Sequence, residues 1–143
     1  MPFKYILERI VLLTEIAVGL ALHLDPEVLL LKGASSTGNE STRVRGLHFF
    51  VCVAHDLSTK QGRWIPAFGS DGPARILIPK ERKVGHEKWR SDATCVHPSQ
   101  VWDVPDSAIA EAAHAANDLS RQGRRNRVRD AGSLPLKPLD SAA

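Results

Sequence analysis

Four side chains of kinds that zinc accepts come in two close pairs, Cys52 with His55 and Cys95 with His97. Along an extended strand successive side chains alternate, so residues three apart point to opposite faces. Cys52 and His55 would converge only if the strand ended between them. The spacing argues against a metal site, and buried, unreactive cysteines are the expectation, with no cofactor. A hydrolase has less support: the chain lacks Gly-x-Ser-x-Gly, and His55-Asp56 reads as the polar end of a strand.

Phosphate chemistry has more material. Arg121, Arg124, Arg125, Arg127 and Arg129 crowd into nine residues, although the net charge of the whole chain is only +3. Trp64, Trp89 and Trp102 stand in a sequence that also carries Arg63, Arg75 and Arg90. Aromatic rings beside cations can stack bases along a basic groove, and Arg63, Arg75, Trp89, Arg124 and Arg125 are the candidate nucleic-acid contacts. The ordinary alternative is that tryptophans fill a core and the arginines solubilise a tail. Trp102 is expected in the core, and Trp89, in a charged link, is expected to be the most exposed of the three.

The elements that must position these groups centre on Leu47 to Ala54, an aromatic and β-branched run that reads as a central strand. Before it, the apolar stripe Ile6, Ile10, Leu13 and Ala17 predicts a helix over residues 3–23, stopped at Asp25-Pro26. Residues 27–32 have the length of a strand, and Gly33 to Thr42 forms a polar loop. After it come strand candidates at 63–68, 74–79, 93–96 and 100–102. Pro66 argues for an edge position in the first, and residues 80–88 form a charged, flexible link that contains His86. Pro105-Asp106-Ser107 opens a helix running through Leu119 and ended by Gly123.

Six short strands with a helix at each end predict a mainly β (α+β) chain built as a small barrel. The expected division is an N-terminal helix over 1–24, a barrel with its C-terminal helix over 27–122, and a basic, disordered tail over 123–143. With 43% hydrophobic and 24% charged residues, the 143-residue chain has the composition of one ordinary globular domain. Two cysteines in apolar runs predict a reducing, cytoplasmic setting. Glu15 interrupts the apolar N-terminal run, leaving it short of the ~20 residues that a membrane span needs. It fits a signal-peptide core equally poorly, and no membrane association is expected.

The order of these elements carries a resemblance. The strand Val28 to Leu31, Arg45 leading into Leu47 to Ala54, the strand ending Ile65-Pro66-Ala67-Phe68-Gly69-Ser70, and Ser99-Gln100-Val101-Trp102 before a helix are similar to the PemK/MazF-like toxin family. The similarity spans roughly residues 27–120. It implies an SH3-like barrel that cuts single-stranded RNA without a metal, with an antitoxin protein and a homodimer as partners. The arginine and hydroxyl residue of the family's active site match Arg45 and Ser70. The chain departs from the family pattern at Arg45-Gly46, where Arg-Pro is usual, and in its long N-terminal helix.

Metal-free RNA cleavage needs a base for the 2′-hydroxyl, a cation for charge developing on phosphorus, and a proton donor for the leaving oxygen. Arg45 is the candidate cation, His48 the acid or base, and Ser70 a group that positions phosphate. The same residues also read as a solvated strand end, a half-buried strand histidine and a turn serine. The competing class is a noncatalytic barrel module that binds a protein partner or nucleic acid.

Overall fold

The computed structural model describes residues 12–38, 41–115 and 125–136. Its strands are β1 (Leu20–Leu24), β2 (Ser35–Ser36), β3 (His48–Asp56), β4 (Gln61–Phe68), β5 (Ile76–Leu77), β6 (Lys83–Val84), β7 (Cys95–Val96), β8 (Trp102–Pro105) and β9 (Asn126–Val128). The helices are α1 (Pro26–Leu31), α2 (Glu87–Ser91) and α3 (Asp106–Ala115). All strand pairs are antiparallel, in the order β2-β8-β4-β3-β1-β9-β6, with β7 also beside β4 and β5 beside β7. The architecture is therefore mainly antiparallel β with a few short helices. Among the described residues the strand pairing does not close on itself.

Strand β3 lies where its composition predicts, between β1 and β4 in the middle of the sheet. Both of its faces are buried, which is why the run is continuously apolar rather than alternating. Phe50 and Cys52 join Leu20, Leu22, Leu24, Trp64 and Trp102 in a core covered by Ala108, Ile109 and Ala112 of α3. Val51 and Val53 turn the other way, to Ala21, Ile65, Trp89, Val96, Val128 and Leu134. A bulge between Cys52 and Ala54 shifts the register with β4.

Several expectations give way. Residues 12–15 are helical, but Leu20–Leu24, expected within the helix, is a strand; residues 1–11 lie outside the described set. Gly19 makes the break. Its φ of +99° is costly for any other residue, and a Cβ there would meet the Val128 carbonyl oxygen at 2.6 Å. Its N–H donates to the Cys52 carbonyl at 2.7 Å, and its own carbonyl accepts from Val128 N–H at 2.8 Å, joining β3 to β9. A segment apolar on all sides satisfies the helical period and the strand period alike, and here the partners decide.

Residues 27–32 are helix rather than strand. Asp25 caps α1 by accepting from the Glu27 N–H at 2.9 Å, and Pro26 occupies the first turn, so the expected stop signal is a start signal. The polar loop that follows contributes β2 to the sheet, and residues 39–40 lie outside the described set. Pro66 stands in an interior strand. Its carbonyl accepts from His97 N–H, on the side where β4 changes partner from β8 at Trp64 to β7 at Ala67, so its missing N–H falls in the gap between two ladders.

The charged link at 80–88 is ordered as a 3-10 turn (Lys80–Arg82), β6 and the start of α2. Lys83 is buried there, with its ammonium donating to the Asp92 carbonyl and, at 3.0 Å, to Thr94 Oγ1. Burial, and secondarily the charge of Lys80, pull its pKa down. The expected tail also folds. Asn126–Val128 pairs with β1 and β6, while Val128, Ala131 and Leu134 enter the second core, so residues 125–136 belong to the domain. Likewise 1–24 is not a separate unit from Leu20 onward, because β1 lies beside β3. No helix among the described residues is long and apolar enough to cross a membrane.

Candidate functional site

One end of the β1–β3–β4 sheet opens into a cavity of about 590 Å³. Residues from two adjacent rows at the end of the sheet line it. In one, His23 on β1 is paired with Phe49 on β3, which is paired with Ala67 on β4. The His23 ring stacks on Phe49 with centroids 3.8 Å apart, and Phe49 meets Trp89 of α2 at 4.8 Å. In the next row His48 meets Phe68 edge to face at 5.1 Å.

Arg75 packs on Phe68 of that second row. Its guanidinium carbon stands 3.7 Å from the Phe68 centroid, and Nη1 donates to the Ser70 carbonyl at 3.1 Å. The turn between β4 and β5 is shaped to allow this. Gly72 leaves the space that the Arg75 side chain passes through, since a Cβ there would approach it to 3.1 Å. Ala74 holds φ +61°, a left-handed conformation uncommon for alanine, and the Arg75 N–H donates back to the Gly72 carbonyl at 3.1 Å.

His86, Lys88, Asp92, Thr94, Arg125 and Asn126 complete the wall. The cavity therefore combines three imidazoles, three cations and one carboxylate with the rings of Phe49, Phe68 and Trp89. Burial holds the His23 pKa below its usual value, and the charges of His48 and Lys88 act in the same direction. His48 Nδ1 lies 3.0 Å from the Gly46 carbonyl, which can only accept. The ring proton is thus assigned to Nδ1, leaving Nε2 free to take up or release a proton.

The candidate residues of the sequence do not all meet here. His48, Ser70, Arg75, Trp89 and Arg125 line the cavity. Arg45 does not; it lies in a separate hollow of about 240 Å³ with Glu27, Leu30, Arg43 and Val44. The pairing of Arg45 with Ser70 across one groove is therefore corrected: Arg75 is the arginine beside Ser70. Arg63 is elsewhere too, on β4 opposite Asp103 of β8, in a solvent-exposed ion pair at 3.2 Å. Arg124 falls outside the described residues.

Two further expectations are corrected. Trp89 is buried rather than exposed, with its indole N–H donating to the Arg127 carbonyl at 3.3 Å. Arg125 is no solvated tail residue; it is buried and pairs with Glu15 at 3.2 Å. Trp102 lies in the core as expected. His23, His86 and Lys88 are not among the site residues that the sequence points to, although His86 and Lys88 stand in its charged link. His23 sat in an expected helix, and its only signal was the alternation Leu20, Leu22, Leu24 against Ala21 and His23.

Both cysteines are buried free thiols, and burial pushes Cys52 up to about 12, far from a reactive thiolate at neutral pH. Among the described residues, no group of three or more His, Cys, Asp or Glu side chains is arranged to hold a metal ion. Away from the cavity, His55 Nε2 lies 3.0 Å from both carboxylate oxygens of Asp106, tying the end of β3 to the start of α3. No protein-family model matches the chain, and comparison with curated proteins and with solved structures finds no similar protein.

Proposed function

We propose that the protein binds single-stranded RNA in this cavity and cleaves it without a metal. The observation that carries the reading is the meeting of His23 and His48 with Arg75, Lys88 and Ser70 around a cavity also lined by Phe49, Phe68 and Trp89. Flat rings suit bases, cations suit the phosphodiester, and two imidazoles supply the proton transfers. The His23 imidazole, held neutral, takes the proton of the 2′-hydroxyl. The 2′-oxygen then attacks phosphorus, and the bond from phosphorus to the 5′-oxygen breaks. His48, protonated at Nε2, gives its proton to that leaving oxygen. A 2′,3′-cyclic phosphate and a free 5′-hydroxyl result. Arg75 and Lys88 stabilise the charge that builds on the phosphoryl oxygens, and Ser70 orients the phosphate.

This reading moves the catalytic arginine of the family resemblance from Arg45 to Arg75. The SH3-like barrel, the cytoplasmic setting, the homodimer and the antitoxin partner belong to the same proposal and rest on that resemblance.

The test is cleavage of a mixed-sequence single-stranded RNA in EDTA. Intact protein should cleave, His48→Ala and Arg75→Ala should each lose at least about a hundredfold, the usual weight of one acid, base or charge-stabilising group, and Arg45→Ala should stay near the intact rate. A loss confined to Arg45→Ala, or full activity in His48→Ala, would refute this assignment. RNA retention without cleavage would leave the noncatalytic binding module as the better description.

A further inference from the structure

Asp92 is the single carboxylate in the wall of an otherwise cationic cavity, and it is the wrong charge for a phosphate subsite. Its carboxylate makes no hydrogen bond or ion pair among the described residues; only its backbone is engaged, the N–H with the Lys88 carbonyl and the C=O with the Lys83 ammonium. It follows α2 directly, three residues after Trp89, and both residues line the cavity. A carboxylate without a hydrogen-bond donor, though near the charge of Lys83, therefore lines the same cavity as the Trp89 ring.

On the same wall stand two groups able to donate. Asn126 Oδ1 accepts from the His86 N–H at 2.9 Å, which leaves the amide nitrogen to donate. Thr94 Oγ1 accepts from Lys83, so its hydroxyl proton is free for another acceptor.

From this arrangement we infer a base subsite selective for guanine, an inference that rests on the RNA reading above. Guanine presents two adjacent donors, N1–H and the N2 amino group, which match both oxygens of one carboxylate, and beside them the O6 acceptor for Asn126 or Thr94. Adenine and cytosine offer one amino group next to a ring nitrogen that a carboxylate repels. Uracil offers one N–H between two carbonyls. The guanine ring lies at the half-buried edge of Phe49, next to Trp89, and the phosphate lies toward Arg75, Ser70 and His48. Asp92 is thus a specificity-determining residue of the site.

Titration of the intact protein with GMP, AMP, CMP and UMP, followed by tryptophan fluorescence, tests this. Trp64 and Trp102 are fully buried in the other core, so quenching reports on Trp89. GMP should bind about tenfold or more tighter than the other three, and Asp92→Asn should erase the preference, chiefly by weakening GMP. Asp92 is exposed and its replacement keeps the shape, so folding is not at stake. Equal binding of all four nucleotides, or a GMP preference that survives in Asp92→Asn, overturns the guanine subsite. RNA cleavage in EDTA separates the two levels: cleavage without preference for guanine overturns only this inference, whereas no cleavage and no nucleotide binding overturn the proposed function with it.

Discussion

Arg75 lies over the ring of Phe68, 3.7 Å from its centroid, on a turn whose Gly72 and left-handed Ala74 leave its side chain room to fold back. A guanidinium held this way keeps its planar fork aimed without losing much rotamer freedom when an anion arrives. Phe68→Leu preserves the apolar bulk and removes the ring. It should weaken phosphate and RNA binding severalfold at a stability cost of about 0.5–1 kcal/mol, the size of one exposed cation–π contact. Isothermal titration and a denaturant melt on the same variant separate the two effects, and unchanged RNA affinity would mean that Arg75 needs no such support.

Acid should loosen the free protein. His23 and His97 both have folded pKa values pulled below 6.5, chiefly by burial, with nearby cations adding to it. Above about 6.5 both states are neutral and these groups are silent. As pH falls through that value the unfolded chain takes up protons that the folded chain refuses, so stability declines until the lower folded values are passed. Urea unfolding at pH 7.5 and 5.5 should show the decline, and a variant carrying His23→Gln and His97→Gln should show less of it. Equal slopes in the two proteins would refute the assignment.

Anion binding should move the opposite way. A phosphate in the cavity favours the protonated form of His23, which burial disfavours in the free protein, so nucleotide affinity should rise between pH 7.5 and 5.5. Affinity independent of pH would place the phosphate away from the histidines.

Ending the chain at Arg124 should abolish cooperative folding. Val128 and Leu134 are buried in the second core, each contributing about 1.5–3 kcal/mol, and β9 carries the ladder between β1 and β6. Against a typical net stability of about 5–15 kcal/mol that loss is decisive. A truncated chain with an intact thermal transition would restore the expectation of a tail.

The His55–Asp106 pair should matter to folding and not to the cavity. Asp106→Ala leaves a buried imidazole without its partner and should cost about 1–3 kcal/mol by denaturant unfolding. RNA cleavage per folded molecule should be unaltered, and a selective loss of cleavage would make the pair part of the reaction.

By itself the sequence determines the central strand, the α3 helix and the buried cysteines, because each is written in a local pattern: an apolar run of strand length, a proline and acid at a helix start, thiols among apolar neighbours. Leu20–Leu24 and Pro26–Leu31 differ from their sequence expectation for one reason. Their residues suit helix and strand alike, and what decides is whether a partner is present, β3 and β9 for the first and the Asp25 cap for the second. The candidate site divides in the same way. Cationic and aromatic residues were legible one at a time, but their grouping was not. The meeting of His23 with His48, of Arg75 with Ser70, and the separation of Arg45 from both follow from strand register and from one turn, which join residues far apart in the chain. Only the tertiary structure decides that, since a long-range pairing is set by the whole set of partners that bury the two cores, and no local stretch of sequence specifies it.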